Sequence, residues 1–109
     1  MPTTLNAFKT TSANVTIAGS TVYTVPSGYT SVALLAQVSN LTQHTIGVSA
    51  YHVRSGTHTS IISNVQIPES DAVNLLTGKL IFQTGDSFLL RGSEDNTAQL
   101  LLSVLETAN

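Results

Sequence analysis

The sequence predicts an all-β fold, an antiparallel two-sheet sandwich of Greek-key or jelly-roll type, with about eight short strands and an extended N-terminal arm. Three observations predict it. Apolar residues recur at every second position over short runs, the period of a strand with one covered face. Clusters of Gly, Pro, Asn, Ser and Asp separate these runs about every ten positions. No segment reads as a convincing helix. The arm is expected over residues 1–13 and a single sandwich domain over 14–109.

Residues 1–13 are polar, Thr-rich and without a clean period, as suits a segment ordered only where it lies on something else, with Leu5 and Phe8 as its apolar contacts. From Asn14 the pattern turns β, with Val15 and Ile17 alternating with polar neighbours and residues 21–25 β-branched and aromatic. Val25-Pro26-Ser27-Gly28 has the placement of a type I turn, the ring presetting φ near −65°. Residues 31–39 form the clearest strand, with Val32, Leu34, Ala36 and Val38 on one face and Ala33, Leu35, Gln37 and Ser39 on the other. After a loop over 40–44, residues 45–53 alternate again and place Ile46, Val48, Ala50 and His52 together. A turn at 54–58 leads to a strand over 59–67 with Ile61, Val65 and Ile67 on one side, broken by Pro68. Residues 72–76 suit a short helix or a strand and are read as a strand.

Residues 78–92, GKLIFQTGDSFLLRG, have two apolar runs about Thr84-Gly85-Asp86 and predict a β-hairpin at the centre of the domain. A three-residue loop pairs Phe82 with Phe88 and Leu80 with Leu90 on one face, and Ile81 with Leu89 on the other. Both faces are then apolar, so the outer one requires covering. The last strand, over 98–105, turns Leu100, Leu102 and Val104 inward and Leu101 and Leu105 outward. Leu5, Phe8, Ile81, Leu89, Leu101 and Leu105 are therefore the candidate subunit-interface residues.

With 109 residues the chain can bury one core. Charged residues make up 9%, against about 25% in a typical soluble domain, so the surface is polar but weakly charged and little repulsion keeps copies apart. Self-association is the expected consequence. Only Lys9, Arg54, Lys79 and Arg91 are cationic and the net charge is −2, which disfavours nucleic-acid binding. Without cysteine there is neither a disulfide nor a thiolate metal site. No apolar run approaches the ~20 residues of a membrane span, and the N-terminus lacks the apolar core of a secretory signal.

No catalytic or cofactor constellation is legible, and neither a cofactor nor a small-molecule ligand is expected. His44, His52 and His58 are too separated for a metal site, and His52 reads as a core-edge residue. Glu69/Asp71 and Glu94/Asp95 each lie within one turn, whereas a glycosidase needs carboxyls facing across a cleft. Asp86 reads as a loop residue capping backbone N–H groups, with a calcium ligand as the other reading. Asn14-Val15-Thr16 and Asn40-Leu41-Thr42 match the glycosylation sequon. Tyr23, Tyr29 and Tyr51 could form a sugar-stacking platform, which makes a small carbohydrate-binding module the alternative to a structural role.

Residues 22–30 (VYTVPSGYT), 33–40 (ALLAQVSN), the Ile67-Pro68 break, Gly78-Lys79-Leu80 and Thr84-Gly85-Asp86-Ser87 together resemble small virion proteins of tailed bacteriophages, above all those infecting cyanobacteria. The resemblance spans about residues 22–106 and rests on turn and core positions. It implies a non-enzymatic virion component, assembled in the bacterial cytoplasm. The first expectation is a capsid decoration (cement) protein on the major capsid protein lattice, often trimeric; the second is a neck, tail, baseplate or fibre accessory protein. It carries over no catalytic residues.

Overall fold

The computed structural model describes residues 6–109 as nine strands and no helix. They are β1 Asn6–Asn14, β2 Ser20–Thr24, β3 Tyr29–Asn40, β4 Ile46–Arg54, β5 Thr57–Ile67, β6 Ala72–Asn74, β7 Leu80–Phe82, β8 Ser87–Gly92 and β9 Ala98–Ala108. One sheet runs β1-β9-β3, with β6 and β7 lying end to end along the far edge of β3; the other runs β2-β8-β4-β5. All pairings are antiparallel. Taking β6 and β7 as one interrupted strand, the chain crosses between two four-stranded layers at every step but the β4–β5 hairpin, in jelly-roll order. The fold class is the one the alternating runs predict.

β9 shows why the pattern suffices. Leu100, Leu102 and Val104 are buried at 2% exposure or less while Leu101 between them is exposed, because successive side chains point to opposite faces. In β4 Ile46, Val48 and Ala50 are likewise buried on one face. The two inner faces meet in a core that includes Phe82, Phe88, Ile67, Leu75 and Leu90.

Four expectations are corrected. In β3 the buried set is Ser31, Ala33, Ala36, Val38 and Asn40, because the pairing with β9 slips between Ala33 and Leu35; a bulge adds one residue and reverses the phase, so Val32 and Leu34 do not share a face with Ala36. β1 stops at Asn14 and the residues after it are not strand: Val15 is fully buried, with its N–H donating to Ala98 O and its carbonyl accepting from Asn96 N. Residues 6–13, expected as an arm, form a strand on β9 of the same chain; Leu5 lies outside the described residues.

The fourth correction is the hairpin. β7 pairs with β3 and β8 with β2 and β4, so residues 82–88 form a corner that carries the chain from one sheet to the other. Gly85, at φ 85°, and a bond from Asp86 N–H to Gln83 O make the tight reversal. In a hairpin both phenylalanines would lie side by side on one sheet; on opposite sheets they point into the same core from two sides. Lys79 and Arg91 are consequently not cross-strand neighbours.

Candidate functional site

The outer face of the five-stranded sheet carries an apolar row. Phe8 in β1 is registered with Leu105 in β9, Leu105 with Val32 in β3, and Val32 with Ile81 in β7. Registered residues share a face, so the row crosses the sheet from edge to edge. Phe8 is 78% exposed and Ile81 58%, with Leu105 and Val32 half-buried between them. Leu101, four residues before Leu105 in β9 and so on the same face, is also exposed. The strand register thus brings together Phe8, Ile81, Leu101 and Leu105. Leu89 lies elsewhere, on the outer face of the four-stranded sheet beside Tyr51 and Thr21.

One end of the sandwich closes with a mixed polar and aromatic layer. Glu106, Ser31 and Phe82 form a row across one sheet, and Tyr23, Phe88 and His52 a row across the other. Tyr23 donates to Glu106 Oε2 at 2.6 Å and lies 2.5 Å from Ser31 Oγ, while Lys9 Nζ reaches Glu106 Oε1 at 2.9 Å. Burial pushes the Tyr23 hydroxyl up to about 12, reinforced by its bond to Glu106. Burial alone would raise the Glu106 carboxyl, but the bonds from Tyr23 and Lys9 and the Lys9 charge outweigh it and hold it below its ordinary value.

At the other side of the same layer Asp86, 2% exposed, accepts from Arg54 Nε at 2.9 Å and Arg54 Nη2 at 2.6 Å, from Gln83 N at 2.8 Å, and contacts His52 Nε2 at 2.9 Å. The Arg54 fork leads in holding this carboxyl well below the carboxylate range, against the opposing effect of burial and with the Gln83 and His52 bonds adding to it. The His52 ring rests on Phe82 with centroids 5.0 Å apart. A carboxylate so buried, with three partners on Oδ2 and one on Oδ1, fixes the corner at residues 82–88.

The remaining candidates are spread over the surface. His44 pairs with Glu94 at 2.7 Å on the exposed loops, and His58 meets Tyr51 edge-on at 6.0 Å. Among the described residues no three metal-ligating side chains come together. Asp71 holds the turn after Pro68, its carbonyl accepting from Asn40 N, and Asp95 accepts from Ile17 N. Tyr23 and Tyr29 pack against the core and Tyr51 lies on an outer face, so the three do not form a platform. A cleft of about 510 Å³ opens between β5 and the 75–80 segment, with Ile61, Leu75, Leu80, Arg54 and Lys79 in its walls.

Sequence reasoning missed two features. Glu106 sits at the next inward position after Leu100, Leu102 and Val104, so extending the alternation by one step would have flagged a buried carboxylate. Asn40, 3% exposed, donates to the carbonyls of His44, Ile67 and Pro68 and accepts from Thr42 N and Oγ1; the sequon match gave no sign of this.

No protein-family model and no curated protein matches the sequence. Similarity appears at the level of fold. A protein of Bacillus endospore appendages, described as a novel family of disulfide-linked pili, is 7% identical over 95% of this chain and 88% of its own, with TM-score 0.54. A protein of the T13 viral particle of IBDV is 12% identical over 97% of this chain, with TM-score 0.55. This chain spans about a third of that protein's length, 32%. The nucleoplasmin-like N-terminal domain of Drosophila FKBP39 is 10% identical over 100% of this chain and 95% of its own, at TM-score 0.49. The first two likenesses, at such low identity, establish a shared all-β fold.

Proposed function

We propose that this chain is a non-enzymatic structural component of a tailed-phage virion, a decoration protein that binds the major capsid protein lattice. The observation that carries the reading is the uncovered row Phe8, Leu105, Val32 and Ile81, on a domain with only 9% charged residues. An exposed apolar strip on a weakly charged surface is what a protein held among other proteins presents, and a cost to one that is not. The jelly-roll order and the fold-level likeness to a viral particle protein agree with it as analogy. The buried carboxylates serve the fold, which leaves the surface to do the work.

Cryo-electron microscopy of particles of the phage that encodes the chain tests this. Density for the jelly roll on the capsid surface is expected. Density at the neck, tail, baseplate or a fibre would move the protein to an accessory role there, and its absence from purified particles would overturn the virion reading.

A further inference from the structure

Sandwich edges present unpaired N–H and C=O groups, and proteins that remain single blunt them with bulges, short strands, prolines or unpaired charges. Three of the four edges here are blunted. β2 has five residues and a bulge between Thr21 and Tyr23. β5 has two register shifts against β4 and a left-handed residue at Asn64, φ 50°. The far edge of β3 carries only the three-residue β6 and β7.

β1 differs. Its nine residues pair with β9 without a register shift, from Asn6↔Thr107 to Asn14↔Gln99, and among the described residues no strand pairs its other side. It has no proline and one charged residue, Lys9, whose exposed ammonium is held by Glu106 Oε1 at 2.9 Å. The direction of its free groups follows from Val15, whose N–H and carbonyl both bond toward the β9 side. Bonding alternates along an antiparallel pair, so Ala13, Thr11, Lys9 and Ala7 also face β9, and Asn14, Ser12, Thr10, Phe8 and Asn6 point their backbone groups outward.

We propose that β1 is a self-pairing edge, which joins the β1 strand of a second copy antiparallel about a two-fold axis at Thr10. The strand sequence NAFKTTSAN is close to symmetric about that residue. Thr10 meets Thr10 of the second copy, and the facing pairs outward are Lys9 with Thr11, Phe8 with Ser12, Ala7 with Ala13 and Asn6 with Asn14. Thr10, Phe8, Ser12, Asn6 and Asn14 fall at hydrogen-bonded positions of the new ladder, which their outward N–H and C=O groups require. No like charges oppose, and the Thr–Thr pair at the centre is a favourable cross-strand pair. The contact is isologous and closes as a dimer, where the phage-protein resemblance implies a trimer. It makes one continuous sheet with an apolar row on the same side of each half. It holds whether or not the chain belongs to a virion.

The chain has no cysteine, so single cysteines are clean probes. Thr10→Cys brings two Cys Cα atoms to about 5.5 Å, within disulfide range, and should oxidise to a dimer band far faster than Leu41→Cys on an exposed loop. Thr10→Pro removes an outward N–H and leaves the β1–β9 ladder intact, so it should sediment as an 11.5 kDa monomer at concentrations where the unaltered chain is twice that mass, with the circular dichroism of the unaltered chain. A dimer that survives Thr10→Pro, equal oxidation of the two cysteine variants, or an unaltered chain that is monomeric throughout would overturn the proposal. If Thr10→Pro fails to fold, the oxidation rates and the mass of the unaltered chain decide. A monomer that still decorates particles would remove this dimer and leave the virion reading standing.

Discussion

Phe82 and Phe88 meet across the core from opposite sheets, with ring centroids 6.2 Å apart and planes inclined by 42°. Each is fully buried, at 1% and 0% exposure. Between them the corner at Gln83–Asp86 is held by the bond of Asp86 N–H to Gln83 O and by the side chain of Asp86.

This relationship separates the jelly-roll corner from a hairpin by cross-linking. Packed sheets are about 10 Å apart, beyond disulfide reach, so the double variant Phe82→Cys/Phe88→Cys should remain unbridged on oxidation. Val32→Cys/Ile81→Cys, registered neighbours across β3 and β7, should form an intrachain disulfide. Mass spectrometry of the oxidised proteins reads both; a bridge between positions 82 and 88 would restore the hairpin. Either phenylalanine replaced by Ala should cost about 3–5 kcal/mol in urea unfolding.

Asp86 gives the protein an acid-sensitive joint. Its folded-state pKa is depressed below the unfolded value near 3.9, so its ionised form contributes stability that is present above that pH and is lost as the pH falls toward the folded pKa. Glu106, also lowered, acts in the same sense. Asp86→Asn should lower stability at neutral pH by about 1.5–3 kcal/mol, the scale of a hydrogen bond to a charged group. Its unfolding midpoint should fall less steeply than that of the unaltered chain as the pH drops below ~4. Parallel curves for the two proteins would show that the Arg54 and His52 contacts do not form in solution.

The alkaline limb has the opposite sign. Tyr23 titrates near 12 in the folded chain and near 10 when unfolded, so its contribution is complete below about pH 10 and is lost as the pH rises through 12; the raised Lys9 acts alike. A tyrosinate absorbance step near pH 12 that disappears in Tyr23→Phe is the expected result. Tyr23→Phe also leaves Glu106 Oε2 without its donor, at about 1–3 kcal/mol. A step near pH 12 that Tyr23→Phe leaves in place would dissociate Tyr23 from Glu106.

The contrast between what was legible and what was not follows from the range of the interactions. Inward and outward sides of β4 and β9 are local facts of a two-residue period, and Leu101 and Leu105 fall outward as the alternation says. Whether Phe82 and Phe88 share a sheet is not local: the same period is satisfied by a hairpin and by a corner, and only β3 and β4, far away in sequence, choose between them. The β3 bulge fails for a related reason. One added residue reverses the phase, and nothing in the run VALLAQV marks where it falls. The apolar row needed three registers at once, so Phe8, Ile81 and Leu105 could be named singly but not assembled, and Val32, assigned to the wrong face, was missed.

Asn40 is where one side chain ties two crossings together. It ends β3, and its amide donates to His44 O at 2.8 Å, Ile67 O at 3.0 Å and Pro68 O at 3.1 Å, pinning the β3–β4 loop to the end of β5. Its carbonyl accepts from Thr42 N and Oγ1 at 2.8 and 2.7 Å, so the sequon nitrogen is already committed and buried. Asn40→Ala strips the donors from those carbonyls and should cost on the order of 3 kcal/mol in urea unfolding. Asn40→Asp keeps the Thr42 bonds but sets a carboxylate against three carbonyl oxygens, so near neutral pH it should be no more stable than Asn40→Ala and should recover as the pH falls and the carboxyl protonates. Asp matching Asn in stability at neutral pH would mean that the three carbonyls find other donors, and the loop would then owe its position to backbone bonds such as those from Asn40 N to Asp71 O, Leu41 N to Thr97 O and Ser70 N to Thr42 O.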